Sequence, residues 1–90
     1  MLDAIPRHSS SVNSRAVDGE AVLVHAEQKK YTVLNGVGAR LWELADGQHS
    51  IADIARVIAD EYEVSLGKAE SDALAFCQDL AGRGLLTFNS

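Results

Sequence analysis

The chain lacks most of the features by which small proteins are cross-linked, anchored or exported. It has one cysteine in 90 residues, so no internal disulfide can form. No apolar run approaches the roughly 18 residues of a membrane span, and the opening MLDAIPRHSSS has no apolar stretch typical of a secretory signal. We therefore expect a cytoplasmic protein without a membrane partner, built as one small domain.

Motifs for catalysis, cofactor binding and metal binding are also absent from the sequence. His8, His25 and His49 are not spaced as metal ligands are, and we interpret them as ordinary exposed or half-exposed side chains. Cys77 lies in an apolar helical stripe, which indicates a core thiol rather than a nucleophile. No P-loop, dinucleotide fingerprint or nucleophile elbow is present. The sequence thus predicts no enzyme activity, no cofactor and no metal.

Positive charge is scarce where a nucleic-acid-binding protein would need it. Residues 41–90 carry three Lys or Arg against nine Asp or Glu, whereas residues 1–40 carry five against four. A helix that reads DNA approaches a dense row of phosphates, and its affinity depends on releasing their counterions. The acidic second half, which has helical periodicity, therefore predicts no nucleic-acid partner. A winged-helix regulator that binds DNA is the alternative to be tested.

Periodicity divides the chain into a tail, a sheet and a set of helices. Residues 1–11 are polar and show no period, so we expect a flexible tail followed by one domain over residues 12–88. Three runs then have strand character, and Asp18-Gly19 predicts a hairpin turn between the first two. These runs are residues 12–17, 20–25 and 30–34. Their short connections predict an antiparallel meander whose first and third strands are edges.

Helical spacing of apolar residues replaces the strand pattern after Asn35, which is a good N-cap residue. A first helix should end near residue 46, at an Asp-Gly pair. Ser50 opens a sequence similar to a capping box before a second helix over about residues 51–62. Ser65 precedes a third. The order predicts an α+β fold, in which a three-stranded antiparallel sheet is followed by three helices and rests one face on them.

An ordered set of segments resembles the PqqD-like family, named for the coenzyme PQQ synthesis protein D. The segments are YTVLN at residues 31–35, GARLWELADG at 38–47, SIADIA at 50–55, YEV at 62–64 and RGLL at 83–86. The likeness extends over about residues 15–88, and its specificity comes from the ordered set rather than from any single piece.

The resemblance implies both a fold and a function. Family members of this kind are winged-helix-like domains that recognise the precursor peptides of ribosomally made natural products. The leader segment of the precursor docks beside the third strand, lies against the third helix and so reaches a maturation enzyme, often a radical SAM protein. The resemblance therefore implies a precursor leader peptide and a maturation enzyme as partners, with PQQ as one candidate pathway.

The residues themselves fit such a role in part. Residues 30–34 form an edge strand whose unpaired backbone groups an extended peptide can meet, and the lysines beside it would attract an acidic peptide. Ala69 and Ala73 would permit close approach of another backbone, and Phe76 could floor a pocket for an apolar leader side chain. We therefore expect a peptide-binding site formed by Lys30, Tyr31, Thr32, Val33, Leu34, Ala69, Asp72, Ala73, Phe76 and Leu80.

Two other interpretations use the same residues. The alanines and Phe76 are equally typical of a helix that packs on its own sheet, and the lysines are typical of ordinary edge protection. An exposed sheet edge is also compatible with a structural homodimer without a peptide ligand. A homodimer could equally coexist with peptide binding by occluding the same edge.

Overall fold

The computed structural model describes residues 1–89, which form five strands and three helices. In chain order the elements are β1 (Ile5–His8), β2 (Val12–Val17), β3 (Glu20–His25), β4 (Lys30–Asn35), α1 (Gly36–Leu44), α2 (Ile51–Tyr62), α3 (Leu66–Gly82) and β5 (Leu86–Asn89). The predicted α+β order, a three-stranded antiparallel sheet followed by three helices, is confirmed. The pair formed by β1 and β5 is an addition to it.

The main sheet has β3 at its centre and β2 and β4 at its edges. Leu23 on the central strand lies between Ser14 on β2 and Thr32 on β4. Asp18 and Gly19 make the β2–β3 turn with φ values of 49° and 80°, the left-handed conformation that a tight hairpin needs and that an Asp-Gly pair supplies. Within residues 1–89 neither edge pairs with a further strand.

One face of the sheet is buried and the other lies in solvent. On β3, Ala21, Leu23 and His25 point inward and are buried, whereas Val24 is 43% exposed. Tyr31, which lies opposite Val24 on β4, is 75% exposed. This alternation follows from the two-residue period of a strand. The inward positions of β4 are only partly covered by the helices, which leaves space beneath that edge.

The helices begin where the sequence predicted. Ser50 Oγ accepts a hydrogen bond from the Asp53 N–H at 3.1 Å, and the Asp53 carboxylate accepts one from the Ser50 N–H, which completes a capping box. Ser65 Oγ accepts a hydrogen bond from the Lys68 N–H at 3.2 Å. Asn35 occupies the N-cap position of α1 but makes no side-chain cap bond. Asn35 is also the last residue of β4, where its side chain lies on the outer face of the sheet.

The core lies between the inner face of the sheet and the helices. α2 packs along α3, and α1 packs on β3 and β4. α2 buries Ile51, Ile54, Ala55 and Ile58, which share one helical face. Of the helices within residues 1–89, none combines the length and the apolar character needed to cross a membrane.

The first eleven residues depart from the flexible tail that the sequence analysis expected. Residues 5–8 form β1, which pairs with β5 and places Arg7 opposite Thr87. Ala4 and Pro6 are buried, and the Ala4 carbonyl accepts a hydrogen bond from the Ile51 N–H at 2.9 Å. Proline is compatible with this strand because β1 has a single partner strand and so needs few backbone donors. A four-residue strand whose partner is at the other end of the chain leaves no local sequence signal.

Candidate functional site

Two clefts open beside the main sheet, one at each edge. The β4 cleft, of about 450 Å³, lies between the start of β4 and the end of α3 and is lined by His25, Gln28, Lys30, Thr32, Arg83 and Leu85, among others. The β2 cleft, of about 490 Å³, lies between β2 and α1 and is lined by His8, Ser14, Ala16, Arg40, Trp42 and Tyr62, among others. Because the two volumes are similar, the side chains decide which cleft is suited to a ligand.

The β4 cleft is built around a buried histidine. His25 is 6% exposed, and its Nδ1 accepts a hydrogen bond from the Gln28 backbone N–H at 3.3 Å. Gly84, with a φ of 77°, passes directly beside the ring, and a Cβ at that position would lie 3.4 Å from His25 Nε2. The positive φ therefore favours a glycine here.

An apolar cluster lies at the other end of β4. A Cβ added at Gly38 would lie 3.8 Å from Leu34 Cβ and 3.9 Å from Phe76 Cε1, so both side chains lie next to the Gly38 backbone. Leu34 and Phe76 are both half-buried and pack against the edge of the core. We call the β4 cleft and this cluster together the β4–α3 groove. The groove is polar at the start of β4 and apolar at its end.

The open edge of β4 runs beside this groove. Its unpaired backbone groups can form ladder hydrogen bonds with an extended chain. Lys29 and Lys30 lie at its start, and neither takes part in an ion pair within residues 1–89. The edge therefore combines free hydrogen-bonding capacity with positive charge and an adjacent cleft.

The structure brings some of the expected site residues together and leaves others in the core. Lys30, Tyr31 and Val33 are exposed on β4, while Thr32, Leu34 and Phe76 are half-buried in or beside the groove. Asp72 is exposed and pairs with Lys68 at 3.3 Å. Three positions on α3 are core, with exposed fractions of 1%, 0% and 2% at Ala69, Ala73 and Leu80, respectively. These three have almost no surface to offer a ligand, because α3 uses its small-residue stripe to pack on the rest of the protein.

The interpretation of His25 from the sequence as an exposed or half-exposed side chain is wrong, because His25 is buried. It shares the inner face of β3 with Ala21 and Leu23, and its place in that alternation is a signal that it points beneath the sheet. Other groove residues were not singled out at all. Gly38, Gln28 and Arg83 enter the groove through the pairing of distant segments, for which the sequence has no local signal.

The β2 cleft has a different character, because its side chains bond to one another. The His8 ring stacks on Trp42 with 3.7 Å between ring centroids and 5° between planes, and His8 Nε2 lies 2.8 Å from the Trp42 carbonyl oxygen. Arg40 donates to both carboxylate oxygens of Glu61, at 2.9 and 2.7 Å, and to Glu43 at 2.7 Å. The buried Trp42 Nε1 has no hydrogen-bond acceptor within residues 1–89.

These contacts also set the ionisation of the groups involved. Hydrogen bonds to Glu61 and Glu43 raise the pKa of Arg40, and the bond from Arg40 lowers the pKa of Glu61. In the core, burial raises the pKa of Cys77 to about 11, so its thiol stays protonated at neutral pH. Within residues 1–89 no group of His, Cys, Asp and Glu side chains converges in a way that could hold a metal ion.

The family model for coenzyme PQQ synthesis protein D (PqqD) matches residues 20–86, from the start of β3 to the first residue of β5. The chain belongs to the PqqD family. The matched residues include β3, β4 and α3, which form the groove. Among curated proteins none matches this PqqD family member.

Solved structures similar to this PqqD family member include two complexes with peptides. One is TbiB1 in complex with the TbiA(β) leader peptide, which has 34% identity and a TM-score of 0.84 over 89% of this chain and 93% of that chain. Another is a lasso peptide synthetase B1 complexed with its leader peptide, at 28% identity and a TM-score of 0.84 over 92% and 98%. The PqqD part of Methylobacterium extorquens PqqCD, described as a stand-alone recognition element for ribosomally synthesised and post-translationally modified peptides, shares the fold at 24% identity and a TM-score of 0.73, over 91% and 87%.

Proposed function

We propose that this protein binds the leader segment of a ribosomally made precursor peptide and presents it to a maturation enzyme. The leader adds as a strand to the open edge of β4, and its side chains enter the β4–α3 groove. The site consists of the backbone of residues 30–34 together with the side chains of Leu34 and Phe76. The protein acts as an adaptor, and the reaction on the precursor belongs to its partner.

The observation that carries the proposal is an unpaired edge strand beside a groove with an apolar floor. Leu34 and Phe76 both lie next to Gly38, where a Cβ would be in ordinary van der Waals contact with each. The two similar structures with peptide, at 34% and 28% identity, support the same assignment because each holds a leader peptide on this fold. An apolar leader residue against Phe76 would bury surface that is half-exposed in the free protein.

Backbone pairing and the groove have different tasks in this proposal. Four or five new ladder hydrogen bonds at about 0.5–1.5 kcal/mol each are offset by roughly 2–5 kcal/mol for ordering a flexible peptide. Strand addition alone therefore gives weak binding that does not depend on sequence. The side-chain contacts in the groove must supply both the remaining affinity and the specificity.

The proposed partner is the enzyme that modifies the precursor. A radical SAM enzyme, as in PQQ maturation, and the processing enzymes of lasso peptide synthesis are the candidates that the PqqD family relationship supports. Binding to a precursor as it leaves the ribosome would place the protein in the cytoplasm. A short reading frame and a maturation enzyme encoded beside this protein would identify the pathway.

An amide-resolved NMR titration tests the proposal, with the peptide of the nearest short reading frame as the first probe and the TbiA(β) leader as the second. We expect saturable shifts at Lys30–Asn35 and near Phe76, while the amides of Val12–Val17 at the opposite edge stay unchanged and act as an internal control. Shifts at β2 instead of β4 would refute strand addition to β4. No shifts with either peptide at millimolar concentration would refute the proposed function.

Two alternative functions are separated by simple measurements. A homodimer formed through β4 would show concentration-dependent sedimentation and would be displaced by the leader peptide. DNA binding has no support from the structure, because α3 carries Lys68 against Glu70, Asp72 and Asp79. A salt-sensitive binding signal with duplex DNA at low ionic strength would be needed to support the DNA-binding function.

A further inference from the structure

The polar end of the groove contains a hydrogen-bond donor without a protein acceptor. Because His25 Nδ1 accepts the bond from the Gln28 N–H, the ring carries its proton on Nε2 in the neutral form. Within residues 1–89 no group accepts a hydrogen bond from Nε2, although the side chain is 6% exposed and lines the β4 cleft. Nε2 itself is not fully shielded from solvent, so water can satisfy it in the free protein and an acceptor on a ligand can replace that water.

Gly84 keeps this donor accessible. Its backbone passes beside the ring with a φ of 77°, and a Cβ there would lie 3.4 Å from His25 Nε2 and 3.7 Å from Gln28 Nε2. The absence of a side chain leaves both nitrogens facing the same small space. The backbone of the segment after α3 thus forms a wall of the cleft without blocking its donors.

The charged groups around the same space are positive. Lys30 and Arg83 line the cleft, and none of its lining residues is acidic. Lys30 has no ion pair within residues 1–89. Arg83 pairs with Asp79 at 3.1 Å on the surface, an exposed pair of the kind that contributes little and can be exchanged for another partner. An anion in the cleft would therefore meet donors and cations from four residues.

We propose that the β4 cleft is a subsite for an acidic side chain of the leader peptide, bound next to the start of β4. A carboxylate accepts hydrogen bonds only, so it can satisfy the His25 Nε2–H and the Gln28 amide while it neutralises Lys30. The leader precedes the rest of its precursor and has no free carboxyl terminus at this point, so the carboxylate is that of Asp or Glu. This inference rests on the proposed function, since it assigns one end of the same groove.

The subsite also gives the groove a direction and a register. The apolar floor at Leu34 and Phe76 lies at the other end of β4, so the acidic residue and the apolar anchor of the leader lie about four strand positions apart. Side chains on one face of a strand recur every second residue, so both can enter the groove from the same face of the added strand. A slip by one residue would move both groups out of the groove at once.

Selection of binders from a random dodecapeptide display library tests the subsite directly. On the wild-type protein we expect enriched peptides to share one position occupied by Asp or Glu. On the double variant Lys30→Glu, Arg83→Glu that position should change to Lys or Arg. Replacing the acidic residue of a selected peptide by its amide should weaken binding to wild type by about 10-fold or more.

A matched control separates a local subsite from general attraction between opposite charges. Lys29 is as exposed as Lys30 and adjacent to it, but does not line the cleft. Lys29→Glu should therefore retain the acidic preference. Both lysines and Arg83 are exposed, so these variants are expected to fold, which circular dichroism checks.

The outcomes distinguish this inference from the proposed function. Enriched peptides with apolar residues but no acidic position would overturn the subsite and leave leader binding intact. An acidic preference that Lys29→Glu abolishes as fully as the double variant would also overturn it, because the attraction would then be nonspecific. If no peptide is enriched on any variant, the proposed function fails and the subsite fails with it.

Discussion

The two edges of the sheet carry clefts of similar volume that differ in how far their central side chains bond to one another. At the β2 edge, His8 stacks on Trp42, and Arg40 is held by Glu61 and Glu43. Arg15 and Glu20 line the same cleft without an ion pair within residues 1–89. At the β4 edge, Lys30 has no ion pair within residues 1–89, and the buried His25 has an unused donor. The volumes of the β2 and β4 clefts, about 490 and 450 Å³, do not show this difference.

Under the proposed function, the sheet keeps one edge structural and uses the other for binding. Groups that bond to one another stabilise the fold and have little to gain from a ligand. Groups that are held in place without a protein partner can instead exchange water for a ligand. We therefore expect variants at the β2 cleft to change stability, and variants at the β4–α3 groove to change peptide affinity.

The largest expected effect is on affinity at the apolar end of the groove. Phe76→Ala should weaken leader binding about 10- to 100-fold, or about 1.4–3 kcal/mol, as expected for an aromatic anchor in a pocket. Tyr62→Ala, in the β2 cleft, should change affinity less than threefold. Isothermal titration calorimetry with the leader peptide measures both. Equal losses from the two variants would remove the distinction between the edges.

Folding of these variants can be checked with the native thiol. Cys77 is 1% exposed, and burial raises its pKa to about 11, so it should react very slowly with thiol reagents at pH 8 while the core is intact. Phe76→Leu keeps an apolar side chain and should recover part of the affinity. A Phe76→Ala protein whose thiol reacts rapidly would be unfolding, and its loss of affinity would carry no information about the groove.

The next largest effect is on stability at the β2 cleft. His8→Ala removes a stacked pair and a hydrogen bond to the Trp42 carbonyl, which should lower the free energy of unfolding by about 1–3 kcal/mol. Leader affinity should stay within twofold of wild type. His8→Phe keeps the stack without the hydrogen bond, so its free energy of unfolding should lie between those of His8→Ala and wild type. A stable His8→Ala protein with weakened peptide binding would reverse the roles assigned to the edges.

Much of the fold was predictable because its determinants are local. The capping box of Ser50 with Asp53, the apolar face of α2 and the Asp18-Gly19 turn are each encoded within a few residues. The β1–β5 pair was not predictable in this way. Arg7 meets Thr87 through a pairing of the two chain ends, and a short strand with a proline has no period by which to recognise it.

At the candidate site the sequence predicted the edge strand, which the structure contains, but not which α3 side chains are accessible beside it. An apolar stripe on a helix does not show whether the core or a ligand covers it. In the sequence, Ala69 and Ala73 are therefore equally compatible with a peptide contact and with a place in the core. The structure places both in the core. The donor of His25 depends on the path of Gly84 beside it, which is a tertiary feature without a signature at either residue.

A smaller effect is expected where the two regions share a helix. Gly38→Ala in α1 should raise the free energy of unfolding by about 0.5–1 kcal/mol, because alanine favours the helix and its Cβ would make ordinary contacts at 3.8–3.9 Å. Gly36→Ala is the matched control and should destabilise, because Gly36 has a φ of 54°. Urea unfolding measures both. A destabilised Gly38→Ala protein would mean that Leu34 and Phe76 leave no space for a methyl group over α1.

The smallest effect is a pH dependence at the β2 edge. Arg40 lowers the pKa of Glu61 in the folded protein, so this contribution to stability is present above the ordinary value of 4.5 and is lost as pH falls through the folded value. Wild type should therefore be slightly more stable than Glu61→Gln at pH 7, with no difference well below pH 4, and high salt should reduce the pH 7 difference.

Lys30→Gln at the β4 edge should show no such dependence, because Lys30 has no ion pair within residues 1–89. Urea unfolding of the three proteins at pH 3 and pH 7 makes the comparison. If Lys30→Gln lost stability as Glu61→Gln does, Lys30 would have a structural partner, and the β4 edge would not be the unpaired surface that leader binding requires.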